Sequence, residues 1–305
     1  MVLEVKDIRK SFGDKEVLHG ISFRVEGGKA LGLLGRNGAG KTTTIRILMD
    51  VFRANSGEIL LDGRKFKPSG HQIGYLPEER GLYPKRTVID QIVFLATLRG
   101  MKPKEARASA KEKLARLEVA EYENRKLETL SKGNQQKVQL AATLVNNPEI
   151  VILDEPFSGL DPVNSQILKD VVNEVIAEGR LVIFSSHQMS YVEEFCDNIA
   201  VINQGEVVLA GQLKEIKREY GKNRLVLSAE NYSLEALSRK VEQEWSGMVR
   251  VSDRKKDFLV LELQESADRR RVLEEIARSD IEVERFGGFL PSLNDIFVSK
   301  VGEES

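Results

Sequence analysis

The chain has 305 residues, 41% of them hydrophobic, which is enough to bury a sizeable core and to form about two domains. Its 46 basic and 47 acidic residues leave a net charge of -1, so no broad cationic field exists for nucleic acid or anionic lipid, and no nucleic-acid partner is expected. The single cysteine, Cys196, excludes an internal disulfide framework and a cysteine-rich zinc site; it reads as a packing residue and fits a reducing cytosol.

The opening MVLEVKDIRKSFG lacks the apolar stretch of a signal peptide. Its alternation, Leu3 and Val5 against Glu4 and Lys6, predicts a half-exposed strand, and Ile21 to Val25 predicts a second. Lys29 to Leu34 is a compact apolar strand that runs into the glycine-rich GRNGAGKTT, after which Ile45, Leu48 and Met49 recur at helical spacing. From about residue 88 to 147 the period is helical, with Val138, Ala141, Ala142 and Val145 on one face, so this segment reads as a helical insertion. Parallel-sheet character returns at Ile150 to Leu153 and Leu181 to Phe184, separated by an amphipathic stretch from Ile167 to Ile176. Beyond about Tyr220, alternating strands and helices (RLVLSAE, a helix around Leu234 to Val241, DFLVLEL, a helix around Arg270 to Ala277, IEVERF) predict a small open-faced α+β domain. Nowhere do about 18 apolar residues run together, so any membrane crossing falls to another chain.

The chemistry concentrates at two strand ends. Gly35, Arg36, Asn37, Gly38, Ala39, Gly40, Lys41, Thr42 and Thr43 satisfy GxxxxGK[ST] between a strand and the first turn of a helix, the context that motif requires. Glycines let backbone N–H groups turn inward around phosphate oxygens, and the helix start adds partial positive charge. Lys41 then reaches the β/γ-phosphates while the Thr42 hydroxyl ligates Mg²⁺. At the end of the Ile150 to Leu153 strand, Asp154 is placed for the metal and Glu155 for polarising an attacking water.

In this order the motifs resemble the ABC ATPases over about the first 220 residues. Leu130-Ser131-Lys132-Gly133-Asn134 is similar to that family's LSGGQ signature, Ser158-Gly159-Leu160-Asp161 to its D-loop, and His187 to its switch histidine. Phe12 stands where the family stacks an aromatic on adenine, and Gly74-Tyr75-Leu76-Pro77-Glu78 where it has the Q-loop. The resemblance implies a P-loop NTPase of ABC type: an α/β domain over 1–220 with a helical subdomain at about 88–147, then the α+β domain over 221–305. It implies ATP and Mg²⁺ as cofactors, with Glu155, His187 and Lys41 catalytic and Thr42, Glu78 and Asp154 at the metal. Phe12, the glycine loop, Ser131, Gly133 and Asp161 would contact nucleotide. It further implies a sandwich dimer with a second copy or a paralogous subunit, a separately encoded permease, and a cytoplasmic location on the inner face of the cell membrane.

Two departures bear on turnover: Glu78 replaces the usual Q-loop glutamine, adding a charge and losing an amide donor, and the signature reads LSKGN. Ser131, Gly133 and Glu155 are retained, so hydrolysis is expected. GYLPEERGLY and the ending near PSLNDIF resemble a bacterial branch serving ABC-2-type export permeases, sodium-extrusion systems among them, with residues 78 to 83 at the permease-docking position. A soluble switch acting on ribosomes or DNA is the alternative, against which stand the single cassette and the lack of coiled-coil or zinc modules. The C-terminal segment shows neither metal spacing nor a nucleophile; its Arg269-Arg270-Arg271 cluster reads as a solvated helix face, and a dimerisation or regulatory role is the family-level expectation.

Overall fold

The computed structural model describes residues 1–79, 81–265 and 268–302, and the chain divides into two compact units, Met1–Leu213 and Lys214–Ser305. In the first unit, β1 (Val2–Phe12) and β2 (Lys15–Glu26) form a hairpin, and β3 (Ala30–Leu34) leads through the glycine loop into α1 (Lys41–Leu48). The strands β4 (Ser56–Leu61), β5 (Arg64–Lys65) and β6 (Ile73–Leu76) follow, then three helices, α2 (Val88–Leu98), α3 (Pro103–Arg116) and α4 (Lys132–Leu144). The unit continues with β7 (Ile150–Asp154), α5 (Pro162–Ala177), β8 (Leu181–Ser186), α6 (Met189–Phe195), β9 (Asn198–Asn203) and β10 (Glu206–Gln212).

Two sheets result. One is antiparallel in the order β2-β1-β4-β5; the other runs β10-β9-β3-β8-β7-β6, parallel from β9 through β6 with β10 antiparallel at its edge. Every residue of β3, β7 and β8 is buried, as expected of parallel strands covered on both faces. Leu3, Val5, Ile21 and Phe23 of the antiparallel sheet share one core with Leu31, Leu33, Ile150, Ile152, Leu181 and Ile183 of the parallel sheet. On the opposite face of β3, Gly32 admits α6 so closely that a Cβ would lie 2.5 Å from Val192 Cγ1 and 3.2 Å from Cys196 Sγ. Cys196 is therefore a packing residue, and burial pushes its thiol pKa up, away from thiolate reactivity.

The helical insertion leaves the sheet after β6 and returns at β7, its neighbour in the sheet. Thr87 caps α2, accepting from Asp90 N at 3.3 Å; Pro103 opens α3, whose buried Ala106, Ala110 and Leu114 form a single stripe; Ser131 caps α4. The three helices thus lie between Val88 and Leu144.

The second unit begins in α7 (Leu213–Tyr220) and contains β11 (Arg224–Ala229), α8 (Leu234–Glu244), β12 (Val249–Arg254), β13 (Leu259–Leu263), α9 (Arg269–Arg278), β14 (Val283–Gly288) and α10 (Leu293–Gly302). Its sheet is antiparallel in the order β12-β13-β11-β14, so strand-helix-strand-strand-helix-strand closes as a split βαβ arrangement. Leu225, Leu227, Leu259 and Leu261 on one face pack against Leu237, Val241, Trp245, Val272 and Ile276. On the other face Val226 and Val260 form a smaller buried apolar cluster with Phe289.

Candidate functional site

The ends of β3 and β7 meet in a cleft of 320 Å³ lined by Val17, Arg36, Asn37, Gly38, Gly40, Lys41, Thr42, Thr43, Glu78, Asp154 and Glu155. Two sequence segments more than a hundred residues apart come together because β8 lies between β3 and β7 in one parallel register, with Asp154 opposite Ser185 and Leu34 opposite Ser186. Parallel α/β sheets place ligands at this edge, outside the carboxyl ends of the strands.

The glycine loop is shaped for an anion. Gly40 sits at φ 116° immediately before α1, a conformation that strains any other residue, and a Cβ there would come 2.6 Å from Leu18 Cδ2 and displace it. No side chain caps α1 and no acidic residue occupies its first turn, which leaves the first N–H groups and the positive end of the helix dipole to a ligand. Lys41 is only 7% exposed; its ammonium donates to the carbonyls of Gly35 at 2.7 Å and Arg36 at 3.3 Å. Burial lowers its pKa, while the nearby carboxylates of Glu155, Asp154 and Glu78 act in the opposite sense.

Facing the loop, Asp154 is 2% exposed, and Ser185 Oγ donates to its Oδ1. Burial raises the Asp154 pKa, and Glu155 adds to the rise, whereas the hydrogen bond from Ser185 and the charge of Lys41 oppose it. The half-buried Tyr75 hydroxyl beside Asp154 is pushed up to about 12, chiefly by desolvation, so it remains a protonated donor. Glu155 adopts φ 48°, a left-handed conformation that costs a non-glycine residue and that the surroundings must hold. The backbone hold is a bond from Glu155 N to Ser185 O at 3.0 Å, and Phe157, two residues on, packs its ring against Phe184, Tyr191 and Phe195. The carboxylate of Glu155 accepts from Ser186 Oγ at 3.1 Å and His187 N at 2.7 Å, and His187 Nδ1 lies 2.7 Å from the same Oε1.

Thr42, Asp154 and Glu78 offer hard oxygen donors on one cleft, a set that suits Mg²⁺. Among the described residues no three His, Cys, Asp or Glu side chains form a cage able to hold a metal alone. Mg²⁺ here fits a site completed by phosphate and water, its usual mode with nucleotides.

Of the other residues singled out in the sequence, His187 touches Glu155 without lining the cleft, and its side chain is 53% exposed. Phe12 lies outside the cleft lining, exposed at the end of β1, with Phe52 edge-on at 5.2 Å and Lys10 Nζ 5.0 Å from its ring centroid. Ser131, Gly133 and Asp161 form a second cluster apart from the cleft of their own chain: Ser131 caps α4, and Asp161 caps α5, holding Asn164 by its backbone N at 3.0 Å and its amide at 2.5 Å. Asn164 in turn lies against Gly133, where a Cβ would approach its Nδ2 to 2.7 Å. Sequence reasoning did not identify Val17, which lines the cleft, or Ser185 and Ser186, which hold the two acids. The serines were visible as the polar end of an otherwise apolar strand.

Residues 18–158 match the family described as ABC transporter, and residues 211–301 match the C-terminal domain of DrrA1-3-like ATP-binding proteins. The chain is 41% identical to the ABC transporter ATP-binding protein YhaQ of Bacillus subtilis over 99% of both chains. It belongs to the ABC transporter ATP-binding proteins. This ABC subunit is also 33% identical to the linearmycin resistance ATP-binding protein LnrL of B. subtilis, over 74% of each chain. Likewise, it is 34% identical to a Nod factor export ATP-binding protein of Burkholderia lata, over 68% of this chain and 70% of that one. Among solved structures, the ATP-binding subunit of an ABC transporter superposes with a TM-score of 0.67 at 29% identity, covering 79% of this chain and 99% of that one. The protein is thus an ATPase of the class that couples hydrolysis to transport, and the family binds ATP, generally with Mg²⁺. A relative named as an ABC transporter ATP-binding protein and matched over 99% of both chains leaves the ribosome- or DNA-acting alternative without support. Among the described residues no helix is long and apolar enough to cross a membrane.

Proposed function

We propose that this subunit binds Mg·ATP in the cleft at the ends of β3 and β7 and hydrolyses it to drive an export permease encoded as a separate chain. The observation that carries the reading is the convergence of an uncapped, glycine-shaped helix start, a buried Lys41 and two strand-end carboxylates on one cleft. In this reading backbone N–H groups of residues 37 to 43 cradle the phosphates, and Lys41 exchanges its loop carbonyls for β/γ-phosphate oxygens. Thr42, Asp154 and Glu78 hold Mg²⁺, which when bound neutralises charge developing on the phosphates. Glu155 orients and deprotonates the attacking water, and His187 fixes the Glu155 carboxylate and lies next to the γ-phosphate position.

The signature cluster of Ser131 and Gly133 lies outside the cleft of its own chain, which supports its use by a second copy or a paralogous subunit. In a sandwich of two subunits, the start of α4 from one closes on the nucleotide of the other, with Asp161 at the shared seam and Phe12 against the adenine. ATP then favours the closed pair, and hydrolysis releases it. Export is supported by the Nod factor export and linearmycin resistance relatives, and work at a permease implies a cytoplasmic location on the inner face of the membrane. Residues 78 to 83 are the proposed docking segment; Arg80 lies outside the described residues. We propose the second unit, residues 221–305 in the sequence reading, as a dimerisation or regulatory module. The test of the transport reading is affinity purification of the tagged chain from gently solubilised membranes. A stoichiometric multi-span partner that is lost on altering residues 78 to 83 supports it, and recovery with ribosomal or DNA-repair partners alone overturns it.

A further inference from the structure

Helix α4 carries a second set of polar groups, unrelated to its capping serine. Gln136, Gln139 and Thr143 recur at helical spacing on one face, and each bonds a backbone carbonyl of a neighbouring segment. Gln139 is the most buried of the glutamines on this helix, 5% exposed, where an apolar side chain would be the ordinary choice. Its amide donates to Pro77 O at 3.1 Å and to Glu79 O at 3.4 Å, the two carbonyls that flank Glu78. Gln136 donates to Pro156 O at 3.0 Å, the residue after Glu155. Upstream, β6 is pressed onto the same helix: a Cβ at Gly74 would come 2.7 Å from Thr143 O.

Bonds to carbonyls on both sides of a residue fix the direction in which it leaves the backbone, whatever its side chain. Glu78 projects into the cleft from a segment held in this way, and an amide with two N–H groups can serve both carbonyls without burying a charge. We propose that Gln139 is the positioning residue for Glu78: by clamping the backbone at 77 and 79 it sets the carboxylate against the metal end of the cleft. Helix α4, capped by Ser131, thereby becomes the body that carries Glu78. This inference rests on the assignment of Glu78 to Mg²⁺. A partner of this kind, one step removed from the ion, ordinarily costs about 10-fold or more in metal affinity when removed.

The test is a double-mutant cycle on the full-length chain, reading the Mg²⁺ concentration that half-saturates ATP hydrolysis. Gln139→Met keeps the length and loses both donors; Gln139→Asn keeps the amide one methylene short of the carbonyls and serves if the methionine variant does not fold. Expected are a rise of about 10-fold in half-saturating Mg²⁺ for Glu78→Gln and a similar rise for Gln139→Met, with a smaller one for Gln139→Asn. The Glu78→Gln/Gln139→Met double variant should be no worse than the worse single, because one residue acts through the other. A purely structural role would lower the melting temperature and leave the Mg²⁺ curve in place. If Glu78→Gln shifts the curve and neither Gln139 variant does, or if the two shifts add in full, the positioning role is wrong while the metal assignment stands. If Glu78→Gln itself leaves the curve unmoved, the metal assignment fails and the inference falls with it.

Discussion

The two units of the chain place their polar side chains in opposite ways. In the first, Lys41, Thr44, Gln91, Lys137, Gln139, Thr143, Asp154, Glu155, Ser165, Ser185 and Ser186 are buried; in the second, Ser228 and Ser238 are the buried polar residues among those described. The second unit keeps its charges at the surface in pairs such as Arg270 with Glu274 and Arg278 with Glu275, which stabilise little and screen easily. Burial of charge is unfavourable unless something compensates it, so its concentration at one sheet edge marks where the molecule trades stability for chemistry. The second unit buries apolar side chains and leaves its charges in solvent.

Breaking the base should separate the units most sharply. Glu155→Gln is expected to cut turnover by about 10²- to 10³-fold while leaving ATP binding intact, as measured by steady-state hydrolysis beside a nucleotide titration. Lys41→Ala acts one step earlier: loss of a charge-assisted contact to phosphate should weaken ATP affinity by about 10-fold or more in the same titration, and equal affinity would remove Lys41 from the cradle.

Asp154 sharpens the comparison on the side of stability. Because its pKa is raised in the folded chain, the folded state holds that proton more tightly than the unfolded one. Its stabilising contribution is full below the ordinary aspartate value of 3.8 and is lost as pH rises through the folded value, leaving the ionised group a cost at neutral pH. Asp154→Asn should therefore raise the melting temperature of the nucleotide-free protein at pH 7 by about 2 °C or more, an advantage that shrinks toward pH 4, while hydrolysis collapses. A lower melting temperature at pH 7 would show that Ser185 and Lys41 compensate the buried charge in full. At the small end, Arg270→Ala in the exposed pair should change stability by no more than about 0.5 kcal/mol and hydrolysis not at all; a larger loss would show that the second unit's surface charge is structural.

Much of the first unit was legible because two signals coincide there. Short apolar runs at Lys29 to Leu34, Ile150 to Leu153 and Leu181 to Phe184 are the buried parallel strands, and the glycine loop and the acid pair sit at their ends. What escaped reading depends on register. Ser185 reaches Asp154 only because β7 and β8 pair in phase, and Gln139 reaches the carbonyls beside Glu78 only because α4 packs on β6; neither follows from local composition. The left-handed Glu155 is similarly unmarked, since nothing in Asp-Glu-Pro announces it. Strands β4, β5 and β10 bury at most one residue each and lack the alternation that betrays β1. In the second unit the strand-helix alternation was readable, but β12, with three of its six residues charged and Val249 alone buried, was not.

The composite site is the central claim, and the mass of the Glu155→Gln protein in solution tests it most directly. Measured by light scattering on a sizing column, the variant should run as a monomer without nucleotide and double in mass with Mg·ATP, and Ser131→Arg added to it should abolish the doubling. A Glu155→Gln protein that binds ATP yet keeps one mass with and without it, or that pairs equally well with Ser131 blocked, would contradict the sandwich and leave each cleft to work alone.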